Sequence, residues 1–401
     1  MDTLNSLLRN LFPYKGYKFF VKKNKIDILI SLKSLRISGV CPSCGKRCSS
    51  VETNFVRKIR DLDLAGHHCF LEVPQKKIRC SCGYRGLEKL DFFSKSRRVT
   101  KRVETTIASF CEIASLKEVA ERFKLDWKTV KEIDRAHIKA LLPEISKLKV
   151  TKIAIDEIAI MKGHKYLTII RDYDSGIPIK IVLGRGYEEV LQALLELGED
   201  KLAKICFASM DMWDPYIKAI KEACPNVKLV FDKFHVVKKI NEALDKIRKK
   251  EFASASDDER INMKHKRYII LHREKNLDDK QKEELNLLIK SNEKLHKAYL
   301  LKEQVLSIFE DKQSTFEQIK TRITQWIENI WTNELEEFYG AVNTILNYFD
   351  GVMNYFKYGM TNAIAEGFNT KINIIKRRAF GFKDVEYFML KIIQSTLKRF
   401  A

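Results

Sequence analysis

An alternation of short apolar runs with helical patterns between residues 152 and 232 limits the possible folds most narrowly. Three predicted strands come first, with the sequences K-I-A-I-D-E (152–157), H-K-Y-L-T-I-I-R-D-Y (164–173) and I-P-I-K-I-V-L (177–183). The turn D-S-G-I-P joins the last two strands as an antiparallel hairpin. A helix, a strand (204–210), a second helix and a last strand (227–232) follow. This order predicts an α/β domain built on one mixed sheet.

The same strand order is that of an RNase H-like domain, and it brings two aspartates together. Asp156 closes the first apolar run and lies mid-sheet, whereas Asp211 closes the run K-I-C-F-A-S-M-D at the tip of the neighbouring strand. Open α/β sheets usually place their chemistry at the carboxyl ends of strands. A third acid, Glu366, lies in the helical pattern T-N-A-I-A-E-G-F-N-T-K, and Asn369 follows one turn later. We therefore expect the three acids to form one catalytic site, with Asn369 in support.

Carboxylates clustered in this way favour divalent cations. Like charges repel and lose hydration when they are buried, so a buried carboxylate pair is costly without a cation. Mg²⁺, or Mn²⁺ in its place, takes oxygen ligands and keeps positions open for phosphate and water. Two such ions ~3.5–4 Å apart can activate a nucleophile and stabilise the leaving oxygen of a phosphodiester. Taken singly, each Asp could instead end a strand or cap a helix.

The charge of the chain points to a polyanionic partner. The 401 residues contain 74 Lys and Arg against 53 Asp and Glu, a formal net charge of +21. Such an excess attracts nucleic acid and makes binding strongly salt-dependent. An anionic membrane surface is the alternative partner. However, no apolar run approaches the ~18–20 residues of a spanning helix, and the N-terminus lacks the order of a signal peptide. The expected location is the cytoplasm.

Six of the nine cysteines fall between Cys41 and Cys82, which predicts a metal site. The motifs C-P-S-C-G and C-S-C-G supply Cys41, Cys44, Cys80 and Cys82, and a glycine follows each pair. Four thiolates that converge tetrahedrally leave no open position, so we expect one structural Zn²⁺ rather than a catalytic one. Other residues of this region could replace a ligand: Cys48, His67, His68 and Cys69. The alternative is a set of structural free thiols.

A helix-turn-helix is predicted in residues 96–150. Apolar residues recur at helical spacing from Leu116 to Phe123, and the period resumes at Val130 after a short turn. Two short helices about a tight turn fit a DNA-reading motif, although many helical pairs share this pattern without touching DNA. In the DNA-binding interpretation the second helix would direct three residues to the major groove or its phosphates: Lys128, Thr129 and Lys131.

Several motifs together resemble a known family. They are the two cysteine motifs, A-I-D-E-I-A-I-M-K-G-H-K-Y-L-T, S-M-D-M-W-D-P-Y, V-F-D-K-F-H-V-V-K, and N-A-I-A-E-G-F-N-T-K-I-N through R-R-A-F-G-F. In this order, over nearly the whole chain, they resemble the DDE transposases of the ISL-three family of bacterial insertion sequences. The resemblance implies that Asp156, Asp211 and Glu366 are the catalytic triad. It also implies that the zinc finger and the helix-turn-helix bind the terminal inverted repeats of the element.

The resemblance extends to two further residues and has one exception. Asp232 and His235, in D-K-F-H, resemble the D-x-x-H signature that related transposases carry after the second catalytic Asp. Alternatively, Asp232 caps the following helix and His235 merely lies in its first turn. Glu157 should point to the opposite strand face from Asp156 and serve a structural role. The exception is Ala363, where the family often has Gly; because Ala is small, we expect activity to be kept.

The chain is thus predicted to be a multidomain α+β protein. Transposases that resemble it often interrupt the RNase H-like core with an all-helical insertion, which would clamp DNA, dimerise or form a solvated surface. The predicted segments are an N-terminal arm with the zinc-binding domain (1–95), a helix-turn-helix domain (96–150), the first part of the RNase H-like core (151–238), the helical insertion (239–357) and the C-terminal helical part of the core (358–401). Basic residues after Glu366 are predicted to bind phosphate, namely Lys371, Lys376, Arg377, Arg378 and Lys383.

The expected function is metal-dependent DNA cleavage and strand transfer. Its partners would be double-stranded DNA, both the terminal inverted repeats and the target, and pairing of two ends implies at least a homodimer on DNA in the bacterial nucleoid. One alternative is a repressor that keeps the DNA-binding modules on a degenerate RNase H-like domain. Another is a structure-specific nuclease or junction resolvase, which would lack a dedicated end-binding module.

Overall fold

The computed structural model describes residues 11–23, 27–93, 98–161, 165–290, 292–360, 363–379 and 381–397. Within these ranges the side chains of residues 23, 54, 143–146, 161, 363–366 and 397 are not part of the description. The chain forms two compact units. The first comprises Met1–Pro143 with Ile375–Ser395, and the second comprises Glu144–Ile374 with Thr396–Ala401. The five segments predicted from the sequence are finer than this division and stay a prediction.

The first unit begins with a β-rich region. Its strands are β1 (Tyr17–Lys23), β2 (Asp27–Ser34), β3 (Gly39–Val40), β4 (Arg47–Cys48), β5 (Val51–Leu64), β6 (His67–Arg79) and β7 (Arg85–Leu87). Five of them form a sheet in the order β1-β2-β6-β5, with β7 on the end of β6, while β3 and β4 form a separate hairpin. Alternate residues of β2 are buried because side chains of a strand point to opposite faces. The strands β1 and β2 pair antiparallel.

Three helices follow in the first unit, namely α1 (Lys101–Cys111), α2 (Leu116–Phe123) and α3 (Trp127–Ser146). Ser115 and Glu118 form a capping box that fixes the start of α2. The helix ends at Lys124, whose φ of +51° is left-handed. The backbone N–H of Lys128 then donates to the Asp126 carboxylate at 2.8 Å and begins α3. The two predicted helices and their tight turn are therefore confirmed.

The second unit contains the predicted α/β region. Its elements are β8 (Lys152–Met161), β9 (Lys165–Asp172), β10 (Pro178–Leu183), α4 (Tyr187–Leu195), α5 (Glu199–Leu202), β11 (Phe207–Met210), α6 (Asp214–Ala223) and β12 (Lys228–Phe231). The sheet order is β10-β9-β8-β11-β12. The first three strands are antiparallel, whereas β11 runs parallel to both β8 and β12. The predicted element order is confirmed, and Asp156 lies in the middle strand.

A long helical stretch completes most of the second unit. Its helices are α7 (Lys233–Ser254), α8 (Asp257–Met263), α9 (Arg267–Leu271), α10 (Asp279–Lys290), α11 (Glu293–Glu310), α12 (Phe316–Thr332), α13 (Tyr339–Asn347) and α14 (Phe349–Tyr358). They share one apolar core, in which the buried Trp326 indole donates to the Leu301 carbonyl at 2.8 Å. A Cβ on Gly351 would lie 2.2 Å from the Phe231 ring, so α14 packs closely against β12. In the described part of the chain, none of the helices has the length and apolarity to cross a bilayer.

Two helices end the described chain, α15 (Ala363–Arg378) and α16 (Val385–Leu397). Most of α16 belongs to the first unit, where Tyr387 and Leu390 pack with Ile138 of α3. Beneath this contact the buried Asp134 carboxylate accepts hydrogen bonds from the Tyr387 hydroxyl and from Lys391 at 2.9 Å. The helix-turn-helix region is therefore completed by a helix from the other end of the sequence.

Candidate active site and metal centre

Three aspartates stand at one level on neighbouring parallel strands. The ladder between β8 and β11 pairs Ala154 with Ser209, and the ladder between β11 and β12 pairs Met210 with Phe231. Continuing each ladder in the same register puts Asp211 opposite both Asp156 and Asp232. Adjacent parallel strands lie about 4.8 Å apart, so this register brings the aspartates together. In agreement, the charge of Asp211 raises the pKa of Asp156.

Asp156 is 9% exposed and is held from three sides. Its Oδ2 accepts from Nδ2 of Asn369 at 2.7 Å and lies 3.3 Å from the Arg171 guanidinium. Its Oδ1 accepts from the backbone N–H of Glu157 at 2.8 Å. Burial raises the pKa of Asp156 above its usual range, although Arg171 opposes this shift. The carboxylate is therefore costly to ionise unless a positive charge is close.

Asp211 has a different neighbour. His235 lies in the first turn of α7, and its Nε2 is 2.7 Å from Oδ1 of Asp211. The hydrogen bond with Asp211 raises the pKa of His235 above its ordinary value, and Asp232 adds to the shift. Asp232 caps α7 by accepting from the backbone N–H of Phe234 at 2.8 Å. Both interpretations of the D-x-x-H motif thus describe real contacts: Asp232 is a helix cap, and His235 reaches an expected catalytic carboxylate.

The third expected acid, Glu366, lies in α15, but its side chain is outside the described residues. Of its neighbours on the same helix, one contacts Asp156 and another contacts Arg171. Asn369 binds Asp156, as given above, and the Phe368 ring lies 4.6 Å from the Arg171 guanidinium. Residues three apart share a helix face, so Glu366 and Asn369 belong to one face of α15.

The donor atoms around Asp156 fit a hard divalent cation. Two carboxylates close enough to interact supply anionic oxygens, which are the ligands that Mg²⁺ and Mn²⁺ prefer. In addition, Oδ1 of Asn369 is buried and has no hydrogen-bond partner among the described residues. An unpaired buried oxygen beside an aspartate cluster is what a cation would satisfy. Glu157 is not part of this cluster, because its Oε1 pairs with Arg185 at 3.1 Å, in agreement with its predicted structural role.

The four predicted zinc ligands form a separate centre in the first unit. The sulfur atoms of Cys41, Cys44, Cys80 and Cys82 all lie within 4.8 Å of one another. Two pairs are closer, with Cys41 Sγ 3.7 Å from Cys82 and Cys44 Sγ 3.6 Å from Cys80. A tetrahedral zinc with Zn–S bonds of about 2.3 Å separates its sulfurs by about 3.8 Å. Disulfide sulfurs are only about 2.05 Å apart. The spacing therefore supports one structural Zn²⁺ on four thiolates.

The backbone explains why each knuckle ends in glycine. The N–H of Gly45 donates to the Cys41 carbonyl at 3.0 Å, and the N–H of Gly83 donates to the Cys80 carbonyl at 3.1 Å. Both glycines have a positive φ, of 73° and 90°, which costs residues with a Cβ. The hairpin β3–β4 presents the first knuckle, and the turn between β6 and β7 presents the second. The two tight turns thus direct the four thiols toward one another.

Two of the four alternative zinc ligands are engaged elsewhere. Cys69 is buried in the core of the five-stranded sheet, where burial raises the pKa of its thiol to about 12. Nδ1 of His68 lies 3.3 Å from Oδ1 of Asp63 and 2.8 Å from Nη2 of Arg60. Cys48 is buried beside Cys41 and Cys80, but it is outside the group of four mutually close sulfurs.

The predicted DNA-contacting residues divide into two groups. Lys128, Lys371, Arg377 and Lys383 are exposed, whereas Thr129 and Lys376 are half-buried. Two others bind within the first unit instead. The Lys131 ammonium lies 2.6 Å from Asp384, and Arg378 donates to the Glu112 carbonyl at 2.6 Å at the end of α1. Both side chains have partners within the first unit, and contact of Lys131 and Arg378 with DNA stays a prediction.

Arg171 is the site residue that sequence reasoning missed. It lies in the apolar strand L-T-I-I-R-D, where every neighbour within the strand is buried. A charged residue in such a run needs a partner, and the adjacent strand β8 offers two acids, Asp156 and Glu157. That signal was available in the sequence once the strand order was known.

Comparisons with known proteins agree with this geometry. Residues 153–392 match a family model described as a transposase of the ISL3 group. Residues 38–82 match the zinc-finger of transposase IS204/IS1001/IS1096/IS1165, and residues 88–138 match the helix-turn-helix domain of transposase family ISL3.

Named relatives cover most of the chain. The transposase for insertion sequence element IS1001 of Bordetella parapertussis is 31% identical over 363 residues, which are 88% of this chain and 87% of the relative. The transposase for insertion sequence element IS1557 of Mycobacterium tuberculosis is 25% identical over 370 residues, which are 86% of this chain and 82% of the relative. The chain belongs to the transposase family ISL3, the ISL-three family, and is a DNA transposase with an N-terminal zinc ribbon and helix-turn-helix.

Proposed function

We propose that the chain cuts and joins DNA at a site formed by Asp156, Asp211 and Glu366. The observation that supports this most directly is the common level of Asp156 and Asp211 on two parallel strands, with Asn369 of α15 bound to Asp156. Glu366 precedes Asn369 by three positions and therefore shares its helix face. We infer that Asp156, Asp211 and Glu366 hold two Mg²⁺ or Mn²⁺ ions, which when bound would activate the attacking oxygen and stabilise the leaving one.

The chemistry would take place in two displacements. In the first, water attacks the phosphodiester at the end of the element, its oxygen joins phosphorus, and the 3′ oxygen leaves as a hydroxyl. In the second, that 3′-hydroxyl attacks a target phosphodiester and displaces the target's own 3′ oxygen. Asp156 is buried, and its contacts with Asn369 and Arg171 orient its carboxylate. The contact with His235 orients Asp211. No covalent link between protein and DNA is required.

The fold proposed for this function is an RNase H-like core interrupted by a helical insertion. The sheet order β10-β9-β8-β11-β12, with only β11 and β12 parallel to β8, supports the core. The core would comprise residues 151–238 and 358–401, and the helical residues 239–357 would be the insertion. The proposed insertion packs against the core at β12, because α14 contacts that strand.

The first unit is proposed to recognise the terminal inverted repeats of the element. Lys128 begins the second helix of the helix-turn-helix and is exposed, and Thr129 follows it. Lys371, Lys376 and Arg377 would bind phosphate. Because two ends must be joined to one target, we expect a homodimer or a larger assembly on DNA, acting in the cytoplasm on the nucleoid.

The test is cleavage of DNA from the ends of the element that carries this gene. Asp156→Asn, Asp211→Asn and Glu366→Gln should each lower Mg²⁺-dependent nicking by about 10³-fold or more while DNA affinity is retained. Asp200→Asn, which changes an exposed acid, is the control and should cut normally. Undiminished cleavage in the three variants would overturn the proposal. A repressor would bind the ends without nicking them, and a resolvase would cut branched DNA whatever its terminal sequence.

A further inference from the structure

Two large aromatic side chains stand exposed beside the aspartate cluster. Trp213 is 40% exposed, and its backbone N–H donates to the Asp211 carbonyl at 2.8 Å. Phe234 is 55% exposed and lies between Asp232 and His235 at the start of α7. Aromatic rings of this size are usually buried, so their exposure next to a reaction centre indicates a binding partner.

Trp213 is held rigidly in its exposed position. Its indole N–H donates to the Arg185 carbonyl at 3.2 Å. The Arg185 guanidinium lies 5.1 Å from the Trp213 ring and 4.1 Å from the Tyr166 ring. Glu157 fixes the guanidinium through an ion pair at 3.1 Å. The indole is thus pre-organised by polar contacts and a cation–π contact, while part of its surface stays open to a ligand.

The buried position of the aspartates explains what such a surface would bind. Asp156 is only 9% exposed, so the strand that is cut must fit closely against this carboxylate. Distorting a strand unstacks at least one base and costs free energy. An aromatic side chain that stacks on the displaced base offsets this cost, because every base has a π face. The nearby Arg185 adds a cation suited to the same planar ligand.

We propose that Trp213 binds an unpaired nucleobase next to the cleaved phosphodiester of the element end. This inference rests on the proposed function, because it places the base beside Asp156 and Asp211. Trp213 is a positioning residue: it touches the DNA strand but takes no part in proton or phosphoryl transfer. Phe234, in the first turn of α7 after Asp232, is a candidate to bind the neighbouring base.

The experiment is photocrosslinking of the full chain to an element-end duplex. Single thymines within three nucleotides of the cleaved bond are replaced by 5-iododeoxyuridine, and Ca²⁺ replaces Mg²⁺ so that crosslinking is read without cleavage. We expect a crosslink that maps to Trp213 for one or two of these positions. Trp213→Leu should remove it, and Trp331→Leu, which changes another exposed indole of the same unit, should leave it intact.

Cleavage by the same proteins in Mg²⁺ provides the second readout. Trp213→Leu should cut about ten-fold more slowly or worse, whereas Trp213→Phe, which keeps a stacking ring, should stay within about threefold of the parent. The dissociation constant for the duplex should change less than about twofold, because the first unit supplies most contacts. A purely structural role for Trp213 would lose cleavage in both variants and give no crosslink.

The inference is overturned if crosslinks form only outside Trp213 or if Trp213→Leu cuts normally. If Trp213→Leu is too unstable to purify, the crosslink of the parent chain and the cleavage rate of Trp213→Phe still show whether Trp213 binds the base. The Asp156→Asn control separates the two proposals. If it cuts normally, the proposed function fails; if it is inactive while Trp213→Leu is normal, only the nucleobase site fails.

Discussion

The Arg171 guanidinium lies 3.3 Å from Oδ2 of Asp156, the same oxygen that Asn369 binds. Arg171 is almost fully buried, and burial lowers the pKa of Arg171 while Asp156 opposes that shift. Its Nε and Nη1 atoms have no hydrogen-bond partner among the described residues. Arg171 therefore acts as a counter-ion for Asp156 and would share this oxygen with any cation that binds there.

The first prediction concerns this competition. Arg171→Met removes the positive charge that repels a cation at Asp156, so at pH 8 the affinity for Mn²⁺ should rise about five-fold or more. In a metal-free buffer the same variant should be less stable by about 3 kcal/mol, because it leaves a buried carboxylate without its counter-ion. Calorimetry and urea denaturation measure the two effects. Unchanged or weaker Mn²⁺ binding would contradict the competition.

The second prediction concerns the zinc centre. Purified protein should contain about one zinc per chain, and Cys41→Ser or Cys80→Ser should reduce it to a small fraction, because structural zinc contributes about 10 kcal/mol or more to folding. Cys206→Ser, at an exposed thiol, should keep its zinc. Elemental analysis by mass spectrometry gives the metal content. Parent protein with well under one zinc per chain would refute the assignment.

The third prediction separates two lysines of the helix-turn-helix. Lys128→Ala should weaken DNA binding about three- to ten-fold and reduce the salt dependence by about one unit of log–log slope. Lys131→Ala should leave that slope unchanged and instead lower the stability by about 1 kcal/mol, since its ammonium is paired with Asp384. Fluorescence anisotropy over a range of salt concentrations measures both slopes. Equal changes of slope would mean that Lys131 also contacts phosphate.

The fourth prediction concerns the buried contact between α3 and α16. Lys391→Met leaves the buried Asp134 carboxylate without its cation, which should destabilise the first unit by about 3–5 kcal/mol. DNA binding should then be lost at a lower temperature than in the parent. Lys89→Met, at a lysine of the same unit whose side chain is 58% exposed, is the control. If both variants melt like the parent, α16 does not stabilise the helix-turn-helix.

The fifth prediction is a pH dependence in the second unit. Burial alone would raise the pKa of Asp245, but ion pairs with Arg248 and Lys249 lower it below its ordinary value. A folded-state pKa below the unfolded value of about 3.9 means that the carboxylate stabilises the fold above that pH. The stabilisation is lost as the pH falls through the folded-state pKa.

Asp245→Asn should accordingly lower the unfolding midpoint in urea at pH 7, by an amount equivalent to about 1–2 kcal/mol. The difference from the parent should shrink steadily below about pH 4. Asp257→Asn changes a carboxylate whose side chain is 96% exposed and should have little effect at either pH. A difference that persists at pH 3 would show that the loss at Asp245 is not electrostatic.

The strands that carry the aspartates were predictable because their patterns are local. Apolar runs predict the order of β8 to β12 and most of their bounds, and the cysteine motifs predict the zinc ligands. The strand β8 is longer than predicted, because it continues from 157 to Met161. The strand at 204–210 is shorter than predicted, since β11 begins at Phe207. Lys204 ends a turn that follows α5, and a turn cannot be told from a strand by apolarity alone.

Partners that are distant in sequence were not predictable. Nothing local indicates that Lys131 meets Asp384, or that Arg378 reaches Glu112, because more than 250 positions separate the members of each pair. A basic residue on a helix pattern is equally compatible with DNA and with an intramolecular acid. The tertiary fold alone decides between them, and it assigns these two cations to the protein.

The common level of Asp156, Asp211 and Asp232 also determines which changes of chain length the enzyme can tolerate. The pairing of β11 with β8 and β12 determines the level of the aspartates. The segment that connects β10 to β11 takes no part in this pairing. Insertions in the turn at residues 196–198, between α4 and α5, should therefore be accepted. A single residue added within Phe207–Met210 would turn Asp211 to the other face of the sheet. In this transposase the relative positions of the acids in the proposed site depend on the strand register and not on the number of residues between them.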